Sequence, residues 1–312
     1  HNKSINNLKS LNFFKNVRSE ILEGTTSTQR IINLSIEEKP TGEISAGAGI
    51  GSDGGSVAFG VQENNFLGRG IKLGTNVTIS SESIKGLVSI NNPNYKGTNR
   101  SLNFNLQSIA TDRMTNYGYK SNKHGFEIGS GFEYYDDFFV NLSLSTYAET
   151  IKTDSSASAS IKKQKGSFFD TYLNYTLDYD KRNQKFRTSN GYRSKFKQSI
   201  PVVSDSFALK NSYDYKVYGE WLDENVASFG FFASGVNSLA GKDVKLSDRL
   251  FVPNSKLRGF ESGKVGPMDG ADFIGGNYTT GVNISSTIPQ ILPNSDSTNF
   301  SIFLDAANIW GV

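Results

Sequence analysis

The segment FFVNLSLST, residues 138–146, decides the fold class. Its apolar side chains occupy every second position, and Asn or Ser lies between most of them: Phe138, Val140, Leu142 and Leu144. Alternation with period two is typical of a β-strand whose two faces meet different environments. The segment therefore predicts a strand with one apolar and one polar face.

The same alternation recurs from residue 42 to the end of the chain, in segments separated by clusters of Gly, Asn, Asp and Ser. We count about thirteen segments, each of about 9–15 residues. A soluble β-sandwich usually has strands of about 5–6 residues, whereas a strand that crosses a bilayer needs about 9–11. The pattern favours an all-β fold, a transmembrane antiparallel β-barrel, over a soluble sandwich.

Composition excludes several classes of protein. The 312 residues include 33 Lys and Arg against 30 Asp and Glu, and this net charge of +3 does not favour nucleic-acid binding. The absence of Cys excludes disulfides, thiolate metal sites and cysteine nucleophiles. Apolar residues make up 36%, below the usual range of about 45–50% for soluble domains. No stretch approaches the roughly 18 consecutive apolar residues of a transmembrane helix.

Residues 1–41 have a different pattern. Apolar residues at three-residue spacing predict an amphipathic helix over residues 5–18: Ile5, Leu8, Leu11 and Phe14. Residues 30–37 then alternate as a strand that ends before Pro40. We expect residues 1–41 to be the end of a small α+β domain and residues 42–312 to be the barrel.

The connections between segments differ in length. Two are minimal, Ser81-Glu82 and Asp136-Asp137, and three are long and polar, over residues 111–123, 153–165 and 239–272. We expect short turns at one rim and long loops at the other, as in outer-membrane barrels. The alternating pattern continues to the last residues before Val312. Because a strand edge with unpaired backbone groups is costly in lipid, we expect further strands beyond Val312.

Three sequence features that could carry catalysis are better explained structurally. Residues 49–54 match GxGxxG, but strand alternation resumes at Val57 where a dinucleotide site needs a helix. His124 has no Ser on its face nearby in sequence, which disfavours a Ser–His nucleophile. Adjacent strand residues point to opposite faces, so Asp136-Asp137 is a turn rather than a catalytic dyad. We predict no enzyme activity, no catalytic residues, no metal and no cofactor.

The long loop carries the sequence Leu257-Arg258-Gly259-Phe260, followed by Gly266-Pro267 and Gly275-Gly276-Asn277. This pattern resembles the conserved-loop signature of barrel-assembly proteins of the BamA type. Further similarities lie at LNFFKNV (11–17), which resembles the helix end of a last POTRA domain, and at VQENNFLGRG (61–70), DKRNQKFRTSNG (180–191) and FLDAANIW (303–310). The resemblance implies a barrel of about sixteen strands, about three of them beyond Val312.

The resemblance also implies partners for Arg258 inside the barrel. One acidic partner corresponds to Asp305, and alternation supports its inward direction because Ile302, Leu304 and Ala306 form the lipid-facing set. Counting from Gly275-Gly276-Asn277, the position expected for the second acidic partner is residue 285. This chain has Ser285 there, which departs from the family pattern. In the loop itself, we expect Phe260 to be an apolar anchor.

The implied function is the folding and insertion of β-barrel proteins into the outer membrane of a Gram-negative bacterium, by strand templating at a lateral seam. Glycines in the first hairpin weaken packing there and mark the seam: Gly47, Gly49, Gly51, Gly54 and Gly55. The expected partners are unfolded outer-membrane clients, periplasmic assembly lipoproteins and the lipid bilayer, with the N-terminal part in the periplasm.

Two other functions remain open at this point. A POTRA-barrel transporter of the two-partner secretion type shares the loop motif and the POTRA tail, but exports a polypeptide. A passive porin needs only a polar lumen, yet carries no α+β domain before its first strand. A longer series of POTRA domains upstream favours the assembly factor, and a shorter one favours the exporter.

Overall fold

The computed structural model describes residues 13–26, 28–51, 54–114, 118–185, 187–222, 225–261, 263–270, 272–288 and 300–312. Its strands are β1 (Phe14–Glu23), β2 (Arg30–Glu38), β3 (Gly42–Gly51), β4 (Gly54–Phe66), β5 (Ile71–Ser80), β6 (Ser83–Asn92), β7 (Ser101–Arg113), β8 (Tyr119–Tyr135), β9 (Phe138–Thr153), β10 (Gly166–Asp180), β11 (Gly191–Ser204), β12 (Ala208–Leu222), β13 (Asn225–Ser238), β14 (Met268–Asp269), β15 (Asp272–Phe273), β16 (Tyr278–Ile288) and β17 (Phe300–Trp310). In these described ranges the structure has the helix α1 (Ala159–Lys162) and the 3-10 turns Tyr95–Gly97 and Leu246–Asp248. None of these described helices is long and apolar enough to cross a membrane.

Thirteen strands form one antiparallel sheet, in the order β17-β16-β13-β12-β11-β10-β9-β8-β7-β6-β5-β4-β3. Each strand pairs with its neighbour in sequence, except that β13 pairs with β16 because β14 and β15 form a small separate hairpin inside the long loop. The predicted all-β fold and the count of about thirteen strands are confirmed.

The two faces of the sheet differ as alternation requires. Leu144 of β9 lies opposite Ile128 of β8 and Leu173 of β10, and all three are exposed on the outer face. Aromatic rings contact one another across β8 to β12 near one rim: Tyr135, Phe138, Tyr179, Tyr192 and Tyr215. An apolar band with aromatic residues at its border is the surface that a bilayer requires of a barrel.

The sheet wraps around a polar interior. Residues of β4 and β11, seven positions apart in the strand order, line one cavity of about 550 Å³: Gln62 on β4 and Lys195 and Lys197 on β11. Gly49 of β3, Glu149 of β9 and Ser247 of the long loop line a second cavity, of about 780 Å³. The side chains of the inner face therefore meet across an enclosed space, as in a barrel wall.

The buried apolar side chains lie where the long loop enters this interior. One cluster joins β8, β9, α1 and the loop: Tyr119, Ile151, Ala157, Ile161, Leu246 and Ile274. A second cluster joins the loop to β13 and β17: Phe232, Val252, Leu257 and Ile309. The hydrophobic core of this molecule is thus formed largely between the loop and the inner wall.

The predicted separation of short turns and long loops between the rims is wrong. Consecutive antiparallel strands reverse direction, so the connection 80–83 lies at the same rim as the long connections 153–166 and 238–278. The short turn 135–138 lies at the opposite rim, with the longer connection 180–191. Each rim carries both kinds of connection.

The N-terminal segment also differs from prediction. Residues 14–18 belong to strand β1, so the predicted helix over residues 5–18 is wrong there, and residues 5–12 lie outside the described part of the chain. β1 pairs with β2, which brings Ile21 opposite Ile32 and Leu22 opposite Ile31. A pairing partner that lies further along the chain overrides a local helical spacing. The predicted strand over residues 30–37 is confirmed.

Candidate functional site

The candidate site is the long loop between β13 and β16 together with the wall it contacts. The loop turns inward through the 3-10 turn Leu246–Asp248 and is closed by a short bridge in which Leu250 and Gly276 exchange backbone hydrogen bonds of 2.8 and 3.0 Å. Because both ends are fixed to each other, the motif at residues 257–260 is held in a defined place rather than on a free connector.

Arg258 forms a two-pronged ion pair with Asp305 of β17. Its Nε donates to Oδ2 and its Nη2 to Oδ1, both at 2.7 Å, and its backbone amide donates to Oδ2 at 3.0 Å. The Asp305 side chain is only 2% exposed. The hydrogen bonds that the guanidinium donates to this carboxylate raise the pKa of Arg258 above its ordinary value. The bidentate geometry fixes both the position and the plane of the guanidinium.

The direction of Asp305 follows from strand alternation. Ile302 and Leu304 are exposed on the outer face, which leaves Phe303 and Asp305 on the inner face. The predicted contact of Arg258 with an inward Asp305 is present. The Phe303 ring adds a second contact that the sequence analysis missed, because the Arg258 Cζ lies 3.6 Å from the ring centroid. Planar stacking of this kind suits Arg better than Lys.

The position of the second polar partner is corrected. The Ser285 hydroxyl contacts the Ser228 hydroxyl at 2.8 Å, away from Arg258. Asn283, directly opposite Asp305, donates to the Asp305 Oδ1 at 2.8 Å and to the Lys256 carbonyl at 2.7 Å. Asn283 and Ser285 share the inner face, so counting along the strand could not choose between them, whereas the register of β16 against β17 does.

The remaining residues of the motif have different roles from those expected. Leu257 is buried against Phe232, Val252 and Ile309 and is the apolar anchor. Phe260 is 56% exposed, so its predicted anchoring role is wrong. The buried apolar site is already filled by Leu257, one residue before Arg258. Gly259 has a φ of +86°, a left-handed conformation that favours glycine, and this is a conformational reason for its place in the motif.

A second polar contact of the loop, absent from the sequence analysis, centres on Lys245. Its Nζ lies 2.9 Å from the Glu149 Oε2 of β9 and 2.8 Å from the Asp170 Oδ2 of β10. Asp248 lies at 3.8 Å and pairs with Lys210 of β12. We call these five residues the Lys245 cluster. Burial opposes the charge of Lys245, but the attraction of its carboxylates prevails and raises its pKa.

The signal that could have located this cluster was present in the sequence. Lys245 stands between two apolar residues, Val244 and Leu246. Glu149 and Asp170 follow the inward phase of their strands. A charged residue at a position that alternation assigns to a crowded interior needs a partner, yet sequence alone does not identify which one.

The predicted seam residues lie together on the β3–β4 hairpin, at one end of the described sheet. A side chain added at Gly47 or Gly55 would meet nothing within 4 Å, and one at Gly49 would meet only the Ser56 hydroxyl at 3.8 Å. Gly51 and Gly54 face each other in the register of the hairpin. Ile50 is 94% exposed. Packing on this hairpin is therefore sparse.

The other sequence features occupy structural positions. Asp137 lies in the turn between β8 and β9 with a φ of +66° and accepts a hydrogen bond from Lys181 at 2.7 Å, so the predicted turn is confirmed. His124 does have a serine on its face: its Nδ1 lies 2.9 Å from the Ser108 hydroxyl of the neighbouring strand β7. This pair is exposed on the outer face. Within the described ranges, no group of three or more His, Asp or Glu residues could hold a metal ion.

Comparison with known proteins gives a consistent family. The model of the Omp85 superfamily domain matches residues 65–312. The outer membrane protein assembly factor BamA of Neorickettsia risticii is 23% identical over 303 residues, which cover 90% of this chain and 39% of that protein. The protein of the same name from Neisseria meningitidis serogroup B is 22% identical over 338 residues, covering 99% and 42%. The chain spans about two fifths of the length of these relatives.

A solved structure agrees with the fold. The crystal structure of BamA from Haemophilus ducreyi lacking POTRA domains 1–3 matches with a TM-score of 0.87 at 22% identity, and the match covers 99% of this chain and 65% of that one. The likeness identifies the thirteen-stranded sheet as the wall of a barrel of this type.

Proposed function

The chain belongs to the Omp85 superfamily, and from this premise we propose that it folds and inserts β-barrel proteins into the bacterial outer membrane. The relatives that it matches are named as outer membrane protein assembly factors. The observation that carries the proposal is the sparse β3–β4 hairpin at one end of a sheet that is otherwise continuously paired. In the part of the chain described, β3 pairs only with β4.

The proposed mechanism is exchange of backbone hydrogen bonds. A strand edge with unpaired N–H and C=O groups is a template for another strand, and β-augmentation gives affinity without any reaction of side chains. Few side chains hold β3 in place, so a client strand can pair with its outer edge at small cost. No catalytic residue, metal or cofactor enters this mechanism.

The surroundings and partners form part of the same proposal. We propose that residues 1–41 are the end of a POTRA domain on the periplasmic side and that residues 42–312 belong to the barrel. Support comes from the separate β1–β2 hairpin, which joins β3 at the rim opposite the long loop. The partners are unfolded outer-membrane barrel proteins, periplasmic assembly lipoproteins and the bilayer.

Export of a polypeptide through the lumen is a second candidate, favoured by the polar cavities inside the sheet. The long loop occupies that interior through its contacts with β9, β10 and β17. An exporter must therefore break these contacts in every transport cycle, whereas an insertase acting at the seam keeps them. A variant with the loop cross-linked to the wall retains insertion and loses export.

The test of the proposed function is a pair of matched substitutions. Gly47 on β3 and Gly219 on β12 both have open space where a side chain would begin, so Gly47→Val and Gly219→Val should fold alike. Stiffening β3 should reduce the folding rate of a client barrel in lipid vesicles, while the same change on β12 should leave the rate unaltered. Equal rates for both variants would contradict the seam.

A further inference from the structure

Four of the five residues of the Lys245 cluster, all but Lys210, are more completely buried than Arg258 of the loop motif. The Lys245 side chain is 3% exposed, as is Glu149, and Asp170 and Asp248 are similarly enclosed. By comparison, the Arg258 side chain is 36% exposed. A lysine is strongly hydrated in water, so its burial needs a full set of compensating partners. The cluster supplies them from two strands of the wall, through Glu149 of β9 and Asp170 of β10, and from Asp248 in the loop itself.

Every carboxylate around Lys245 has further donors. The Asp170 Oδ1 accepts hydrogen bonds from Ser206, through its hydroxyl at 2.9 Å and its amide at 3.2 Å, and also from the Ser204 hydroxyl. The Glu149 Oε2 accepts from the Ser247 hydroxyl at 2.8 Å. The Asp248 Oδ1 accepts from the Lys210 Nζ at 2.5 Å. The Ser204 and Ser206 donors lie at the end of β11 and in the turn after it, so they fix the Asp170 carboxylate before the loop arrives, and the wall presents a preformed acidic socket for one ammonium group. Ser247 and Asp248 belong to the loop and complete the cluster when the loop is in place.

The chain between Lys245 and Arg258 has little slack. Arg249 is buried and its guanidinium donates to the carbonyls of Val244 and Ile274, both at 3.4 Å. Leu250 is held by its bridge to Gly276. Val252 and Leu257 are buried in the apolar cluster that contains Ile309. Successive fixed residues therefore connect the two charged contacts.

We propose that Lys245 is a positioning residue, which locks the long loop onto β9 and β10 and thereby sets Arg258 against Asp305. The loop is a strap with two charged ends, one in the middle of the described sheet and one on β17 at its end. The coupling of the two ends is inferred from the contacts of Lys245 and Arg258 and does not depend on the proposed function. Only the effect of this coupling on client insertion rests on the proposed function.

The test is amide hydrogen exchange in the purified protein in lipid nanodiscs. The Arg258 amide donates to Asp305 and so reports the far contact directly. Lys245→Met keeps the length of the side chain and removes its charge, and the Arg258 amide should then exchange at least about tenfold faster. Lys242→Met is the matched control, because Lys242 is exposed on the same loop. It should leave exchange unchanged.

Two results decide between the coupling and a purely local role of the cluster. Faster exchange at Arg258 in Lys245→Met, with the amides of residues 140–146 unaffected, supports the coupling. Faster exchange confined to residues 244–249 overturns it, because the cluster then stabilises only its own surroundings. If Lys245→Met does not fold, Ser247→Ala replaces it, since that change removes one donor to Glu149 and keeps the charges, and the same two results decide.

A reciprocal experiment separates the coupling from the proposed function. The Leu246 amide donates to the Gln164 Oε1 at 3.1 Å and reports the near contact. Asp305→Asn should accelerate its exchange, because coupling between two sites is mutual. An unchanged Leu246 amide contradicts the strap. Intact coupling in a protein that inserts no client barrels would instead refute the proposed function and leave the strap standing.

Discussion

Glycine has opposite meanings in two parts of this sheet. On β8, in the middle of the sheet, a side chain added at Gly125 would begin 2.2 Å from the Thr146 carbonyl, and one at Gly129 would begin 2.7 Å from the Ser143 Cβ. On the first hairpin, the same addition at Gly47 or Gly55 meets nothing within 4 Å. On β8, the absence of a side chain allows the neighbouring strand to pack closely against the glycines. On the first hairpin, the absence of side chains leaves the glycines without packing contacts.

The difference shows that strand pairing and side-chain packing are separate quantities. The β3–β4 and β8–β9 pairs are both antiparallel and are paired over most of their length. Of these two regions, only the β8–β9 pair has side chains closed over its glycines: Tyr147 lies opposite Gly125 and beneath the Lys123 ammonium at 4.5 Å. Backbone pairing therefore extends through both regions, whereas the cost of opening the pair differs between them.

The largest expected effect is at the anchored end of the loop. Arg258→Ala removes both side-chain donors and leaves the Asp305 carboxylate buried, at a cost of about 3 kcal/mol in the stability of the loop contact. Lys256→Ala is the control, because its partner Asp214 is half exposed, whereas Asp305 is buried. Levels of outer-membrane proteins in a depletion strain should fall with the first variant and hold with the second. Equal levels with both variants would show that the Arg258 contact has no role in assembly.

A double-mutant cycle sharpens this result. Asp305→Asn should cost nearly as much as Arg258→Ala, because it removes the charge that the guanidinium faces. The two changes together should cost less than their sum by about 1–3 kcal/mol, measured by unfolding in detergent. Strict additivity would mean that the two side chains do not interact in solution.

The direct test of the glycine comparison comes next. Gly125→Ala should lower the free energy of unfolding by about 1–3 kcal/mol, because the Thr146 carbonyl and the Tyr147 ring must move. Gly47→Ala should change it by less than about 0.5 kcal/mol, since the added methyl group meets open space. Urea titrations of the two variants give the values. The comparison fails if the two costs are alike.

The smallest effect concerns the corrected polar partner. Asn283→Ala removes hydrogen bonds to Asp305 and to the Lys256 carbonyl and should cost about 1 kcal/mol of stability. Ser285→Ala should leave the Arg258 contact unaltered, because its hydroxyl is paired with Ser228. Exchange of the Arg258 amide measures both. A larger effect from Ser285→Ala would restore the partner that the sequence count predicted.

Alternation predicted the strands of the sheet because the apolar face of each strand can be identified from that strand's own sequence. The alternation at residues 138–146 predicted β9, and the same pattern in residues 302–306 predicted that Asp305 points inward. Contacts between distant segments could not be derived in this way. The contact of Asn283 with Asp305 follows from the register between β16 and β17, and the contact of Phe303 with Arg258 follows from the path of the loop. The contacts of Lys245 form only where the loop packs against β9 and β10. The helix over residues 5–18 failed for the same reason, since a β partner decided residues 14–18.

The two-ended strap has a consequence for the order of folding. Neighbouring strands form hairpins from residues close in sequence, whereas Lys245 must find Asp170 across 75 residues and Ser247 must find Glu149 across 98. Contacts of such long range bear a larger entropic cost of loop closure and form after local ones. We therefore expect the strap to close last, when β9, β10 and β17 already stand in place. The loop then acts as a check on a finished wall, because a wall with a misplaced strand offers it no socket.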